Sequence, residues 1–183
     1  MPCAIKEGDV INSKKKLKML SVMLLVMFIC NFNYIIKDKA PLFFNVTPSM
    51  PIGVYMIIPG NQYKKGDLVV YTPTDESLDY FRKYDYDRPD TDFLKEIGAM
   101  PGESYSVDAD NGNFWAADKY IGIAKRQDSF GNCLPDHSGT YTVPSGEFLP
   151  VTYYSGSFDG RYTGTVSFSR IKNKVIPIII FND

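Results

Sequence analysis

A mostly β domain behind one membrane-spanning helix is what this sequence predicts, and three observations carry the prediction. An apolar stretch of twenty residues, 17–36, directly follows a cluster of lysines. Beyond residue 40 the chain breaks into short β-branched and aromatic runs separated by Pro, Gly, Asn and Asp, the pattern of strands joined by turns. No internal repeat is visible and no stretch suffices for a second domain, so 37–183 reads as a single folded body.

Residues 1–16 are polar and end in Lys14-Lys15-Lys16. At about 1.5 Å per helical residue, 17–36 spans roughly 30 Å, the thickness of a bilayer's hydrocarbon core. Lys18, Asn31 and Asn33 sit near its ends, where polar side chains snorkel to the headgroups, and Tyr34 suits the interface. A cleavable signal peptide would end in a small-x-small site, whereas Asn31-Phe32-Asn33-Tyr34 is bulky. A buried core helix would not ordinarily follow four lysines in five residues. The stretch is therefore expected to be a membrane anchor. Lys14, Lys15, Lys16 and Lys18 outweigh Lys37 and Lys39 with Asp38, which sets the N-terminus in the cytoplasm and the body outside.

Residues 1–40 hold seven Lys against three acids, +4 in all, so a total of −1 leaves −5 on 41–183. An acidic body argues against nucleic acid as a partner, because binding DNA or RNA requires a basic surface. Cys3, Cys30 and Cys133 are scattered, no C-x-x-C occurs and His137 is the single histidine, so neither a disulfide nor a metal site is expected. No cofactor is implied.

Strands are expected at 54–58, 68–71, 105–107, 141–143, 148–154 and 175–181, with turns such as Pro59-Gly60-Asn61, Lys65-Gly66-Asp67 and Pro101-Gly102-Glu103 between them. The charged, tyrosine-rich segment 74–92 breaks the pattern, as a short helix at 76–84 inside an insertion or as an exposed loop. Asp85, Asp87, Asp90 and Asp92 do not fit a calcium loop, since Pro89 and Asp90 fall where an EF-hand needs a ligand and a glycine.

Chemistry centres on Thr47-Pro48-Ser49-Met50-Pro51-Ile52-Gly53. Two prolines hold their neighbours extended, so Ser49 sits on a stiff turn that can aim a side chain. A serine nucleophile needs a base. His137 lies among turn formers in Pro135-Asp136-His137-Ser138-Gly139, where an exposed surface position is expected. A lysine can serve instead if burial lowers its pKa by roughly two to three units. Lys95 fits, because strand alternation in Phe93-Leu94-Lys95-Glu96-Ile97 aligns it with Phe93 and Ile97, opposite Leu94 and Glu96. An edge-strand lysine is the plainer alternative.

Three blocks then occur in order: Thr47-Pro48-Ser49-Met50-Pro51-x-Gly53, Lys95 ahead of Gly98-x-Met100-Pro101-Gly102-Glu103, and Ser157-Phe158-Asp159-Gly160-Arg161-Tyr162-x-Gly164. Together they resemble the type I signal (leader) peptidase family of membrane-bound serine proteases. The Ser-Met-Pro-x-Gly form is most similar to its conjugative-transfer branch of TraF-type pilin-processing peptidases, as are Asp128-x-x-Gly131-x-x-Leu134-Pro135 and Val143-Pro144-x-Gly146-Glu147.

The resemblance implies a signal-peptidase-like β-fold catalytic domain, periplasmic or otherwise extracytoplasmic, anchored in the bacterial inner membrane. It implies Ser49 as nucleophile, Lys95 as general base, and an oxyanion hole from the Ser49 N–H and the Thr47 hydroxyl. Ser157 would orient the lysine, with Asp159 and Arg161 as a supporting ion pair. The partners would be the lipid bilayer and a precursor protein with a leader peptide, small residues preceding the scissile bond. A propilin is the partner in the conjugative branch, where an amine of the pilin can replace water and close a ring. Departures from the family pattern are Glu96 after the lysine, Gly160 where relatives often carry Ser, and Thr163-Gly164-Thr165-Val166 in place of Phe-Gly-Pro-Val. General leader peptidase, or a non-catalytic anchored β-domain of a secretion or pilus assembly, are the competing expectations.

Overall fold

The computed structural model describes residues 41–84, 86 and 92–181, and in the N-terminal stretch residues 21, 23 and 24. The chain divides into two units, Met1–Pro41 and Leu42–Asp183. In the first, Ser21, Met23 and Leu24 are helical. The expected anchor at 17–36 otherwise lies outside the described residues, as does the segment 1–16. Among the described residues no helix is long and apolar enough to cross a membrane.

The second unit is mostly β, in two antiparallel sheets. The strands are β1 (Leu42–Asn45), β2 (Gly53–Ile58), β3 (Leu68–Tyr71), β4 (Phe93–Ala99), β5 (Ser104–Val107), β6 (Asn113–Ala116), β7 (Lys119–Ile123), β8 (Gly139–Thr142), β9 (Glu147–Val151), β10 (Val166–Ser167) and β11 (Ile171–Ile180). The larger sheet runs β1-β2-β11-β3-β4-β9-β10 and the smaller β7-β6-β5-β8.

Pairing explains how distant sequence blocks meet. β1 and β2 form a hairpin, Leu42 opposite Met56 and Asn45 opposite Gly53, and Ser49 sits in its connection. The C-terminal strand β11 returns between β2 and β3, with a register shift between Pro177 and Ile179. A bulge there accommodates the missing Pro177 N–H inside a sheet. Gly53 is needed at this crossing, because a Cβ would come within 2.1 Å of the Ile179 carbonyl oxygen. β4 lies between β3 and β9, with Lys95 opposite Val69. It is an interior strand, which sets aside the edge-strand alternative for Lys95.

Alternation along β4 divides the core as the sequence suggests. Ile97 packs with Val69, Tyr71, Phe148 and Val166, and Phe93 lies against that cluster. Leu94 faces the other way, onto Tyr55, Val70 and Val175. A third cluster, including Tyr105, Phe114, Ile121 and Leu149, belongs largely to the smaller sheet. Burying each such side chain contributes about 1.5–3 kcal/mol.

Helix α1 (Asp75–Lys83) occupies the segment expected as a helix at 76–84, shifted by one residue. The Thr74 side chain caps it by accepting from the Ser77 N–H, with Asp75 and Glu76 in the first turn and Arg82 and Lys83 in the last, as the helix dipole favours. Of the acidic loop, residues 85, 87 and 90 lie outside the described residues, and Asp92 pairs with Lys172. A short helix α2 (Gly160–Thr163) follows β9 and is capped by Asp159. Cys133 is a free, exposed thiol, while Cys3 and Cys30 lie outside the described residues.

Candidate active site

The turn between β1 and β2 is held chiefly by Asn45, a residue the sequence did not single out. It is 4% exposed. Its amide donates to the carbonyls of Thr47 (2.9 Å), Met50 (2.9 Å) and Pro51 (3.0 Å), while its Oδ1 accepts from the Thr47 N–H and hydroxyl. An Asn closing a strand before Thr-Pro-Ser is a turn-former signal, but its three-carbonyl grip depends on the turn already being folded. Tyr55 adds a hydrogen bond to the Pro51 carbonyl at 2.6 Å.

Ser49 rides on this turn, half-buried, with its hydroxyl 3.4 Å from that of Thr47. The Thr47 hydroxyl has one proton and directs it to Asn45 Oδ1 at 2.8 Å, so toward Ser49 it faces as an acceptor. Among the described residues nothing accepts from the Ser49 backbone N–H.

Lys95 is 3% exposed. Its ammonium stands 5.4 Å from the centroid of the Phe93 ring and makes no hydrogen bond or ion pair among the described residues. Burial pushes its pKa from 10.5 down to about 8; the Asp159 carboxylate pulls it back up, and the Arg161 guanidinium adds to the fall. Glu96, the departure that could have held the charge in place, points to the opposite face of β4. There it is half-buried, its pKa raised by desolvation and moderated by Lys119.

Ser49, Thr47 and Lys95 line one cavity of about 600 Å³ together with Ser157, and apolar walls come from Phe43, Phe93 and Leu94. Phe81 of α1 and Phe158 close another side, their ring centroids 5.0 Å apart. The Ser157 hydroxyl is buried and has no hydrogen-bond partner among the described residues, so it does not bond the Lys95 ammonium in this state. Nor does a hydrogen bond join Ser49 to Lys95. Catalytic contacts are often long before substrate enters and tighten only around it.

Asp159 and Arg161 form a fork of two bonds, Nε to Oδ1 at 2.8 Å and Nη2 to Oδ2 at 3.0 Å, with both side chains fully buried. Spare donors on Arg161 reach the carbonyls of Thr152 (2.5 Å) and Ile123 (3.2 Å). Gly160, one of the departures from the family pattern, lies between them. A Cβ at that position would lie 2.7 Å from both the Leu149 side chain and the Pro150 carbonyl oxygen, which accounts for glycine in this chain.

His137 is not on the surface as expected. It is half-buried, stacked 4.5 Å from the Tyr141 ring, with Nε2 3.2 Å from the Tyr105 hydroxyl. Burial lowers its pKa. It lines a different cavity from Ser49, beside Asp108 and Lys125, which leaves Lys95 as the basic side chain that, among the described residues, shares the serine's cavity.

A buried lysine poised to lose its proton and an aimed serine hydroxyl, both lining one apolar cavity, suit nucleophilic attack on a carbonyl. A solved signal peptidase I from Enterococcus faecalis V583 shares 17% sequence identity, covering 62% of this chain and 96% of its own, at a TM-score of 0.36. No curated protein matches the chain. The family model described as signal peptidase, peptidase S26, matches residues 14–180. The chain belongs to that family, and with membership comes serine endopeptidase activity on precursor proteins that bear leader peptides.

Proposed function

We propose that the chain is a membrane-anchored leader peptidase working through a Ser49/Lys95 dyad, and that it matures a pilin of a conjugative apparatus. The observation that carries the dyad is the company Lys95 keeps: a nearly dry amine, its pKa lowered to about 8, on the cavity that Ser49 also lines. The pilin assignment rests on the Ser49-Met50-Pro51-x-Gly53 form and its companion motifs. The anchor at 17–36 and its orientation rest on the lysine bias.

In this mechanism substrate entry draws the amine and the hydroxyl into hydrogen-bond reach. Neutral Lys95 Nζ takes the Ser49 proton as Oγ attacks the scissile carbonyl carbon. The resulting oxyanion is received by the unpartnered Ser49 N–H, and by Thr47 once its proton swings away from Asn45. Lys95 returns the proton to the leaving amine, giving an acyl-enzyme on Ser49. Water attacks that ester, losing its proton to Lys95, which passes it to the departing Ser49 Oγ as the acid is released; a pilin amine in place of water would give a ring. Ser157 orients the ammonium between these steps, and the Asp159–Arg161 pair supports the wall behind it. The substrate backbone docks as an added strand beside the Ser49 and Lys95 segments.

Ser49→Ala and Lys95→Ala, each assayed for precursor processing by the full chain in detergent, test the dyad. Loss of processing in both is expected; undiminished processing by both would refute it. Processing of unrelated precursors at the rate of a propilin would replace the pilin specialist with a general leader peptidase.

A further inference from the structure

The geometry points to Thr152 as a positioning residue that fixes the nucleophile's backbone from outside its own hairpin. The inference rests on Ser49 being the nucleophile. Thr152 follows β9 and is 3% exposed. Its hydroxyl donates to the Ser49 carbonyl at 2.5 Å, across 103 residues of sequence. The direction is fixed, because a carbonyl can only accept and because the same hydroxyl oxygen already accepts from the Tyr154 N–H at 3.2 Å.

Within the turn, Asn45 holds the carbonyls of Thr47, Met50 and Pro51 from inside the hairpin. The carbonyl of Ser49 is missing from that set, and Thr152 supplies it. A held Ser49 carbonyl pins the peptide plane that follows Ser49. It therefore restricts rotation about the bond that would swing the Ser49 N–H and Oγ relative to the cavity. Without it, the serine could librate between two planes held on either side.

Thr152 is itself immobilised by the buried ion pair. Its N–H donates to Asp159 Oδ2 at 3.0 Å and its carbonyl accepts from Arg161 Nη2 at 2.5 Å. Asp159 also acts electrostatically on Lys95. One buried unit thus touches both halves of the dyad, the base through charge and the nucleophile through Thr152. This gives the Asp159–Arg161 pair a route to Ser49 that the sequence did not disclose.

The test is steady-state processing of one precursor by full-length Thr152→Val and Thr152→Ser in detergent, with thermal unfolding to establish that each is folded. Valine keeps the shape and removes the donor; serine keeps the donor. Misplacement of a reacting group by about 1 Å costs on the order of 100-fold. Thr152→Val is therefore expected to lose roughly 10- to 100-fold in kcat, with KM within about twofold and the pH dependence set by Lys95 unmoved. Thr152→Ser is expected to stay within about threefold of wild type. A Thr152→Val enzyme with wild-type kcat, a loss that appears only in KM, or an equal loss in Thr152→Ser would each overturn the inference. Should Thr152→Val not fold, Thr152→Cys against Thr152→Ser asks the same question, since a thiol is a weak donor of similar shape, and equal kcat in the two overturns it. Ser49→Ala is run alongside. If it still processes precursor, the dyad reading itself falls; if it is dead while Thr152→Val is fully active, only the role of Thr152 falls.

Discussion

Replacing Lys95 with Met should make the protein inactive and more stable. Lys95 lies in the interior strand β4, 3% exposed, and Met is an unbranched apolar side chain of similar length. A fall in pKa from 10.5 to about 8, at about 1.4 kcal/mol per pH unit, means that holding the ammonium charged in this site costs about 3 kcal/mol. The folded pKa lies below the unfolded one, so between pH 8 and 10.5 the unfolded chain binds more protons and wild-type stability rises with pH. Below pH 8 the penalty is complete, and above 10.5 it is gone. Urea unfolding of wild type and Lys95→Met, full chains in detergent, should therefore show the variant ahead by about 3 kcal/mol at pH 7, the gap closing as pH approaches 10.5. A variant no more stable than wild type at pH 7, or a gap that does not change with pH, would show that Lys95 is not a charge held in a dry site. Its candidacy as a base would go with it.

Wild-type processing should decline as pH falls through about 8, where Lys95 takes up its proton and ceases to act as a base; a kcat profile flat from pH 6 to 9 would contradict this. Asp159→Ala strands a fully buried Arg161 and should cost about 3–5 kcal/mol in unfolding experiments, far more than any of the exposed ion pairs. Gly53→Ala drives a methyl against the Ile179 carbonyl, which the β2–β11 pairing cannot relieve without parting, so a loss of at least 2 kcal/mol and a lower Tm are expected. His137→Gln should leave both kcat and its pH dependence as they are, because His137 lines another cavity; an altered pH profile would implicate it as the base.

The sequence was most legible where structure is local. Turn residues separated the strands well enough that 68–71 matches β3 residue for residue, and α1 lies one residue from its expected place. β1, β6, β7 and β10 were not anticipated. The β6–β7 hairpin turns on Ala117-Asp118, with Ala117 at a φ of 54° and no glycine or asparagine to announce it. β1 has only four residues and becomes a strand through its partner β2. Of the candidate site, Ser49, Thr47, Lys95, Ser157, Asp159 and Arg161 could all be named from motifs. The motifs gave no sign that the Thr47 proton is spent on Asn45, or that the Ser157 hydroxyl is without a partner among the described residues.

Read alone, the chain determined its turns, its lysine-flanked apolar stretch and the face of β4 on which Lys95 stands, since these follow from backbone geometry and from neighbours within a few residues. Tertiary structure decided that Lys95 is dry, that His137 is enclosed by tyrosines in another cavity, and that Thr152 holds the Ser49 carbonyl. Burial and long-range hydrogen bonds depend on which strands become neighbours. That order, with the last long strand inserted between β2 and β3, is set by the joint packing of the whole core and not by any one segment.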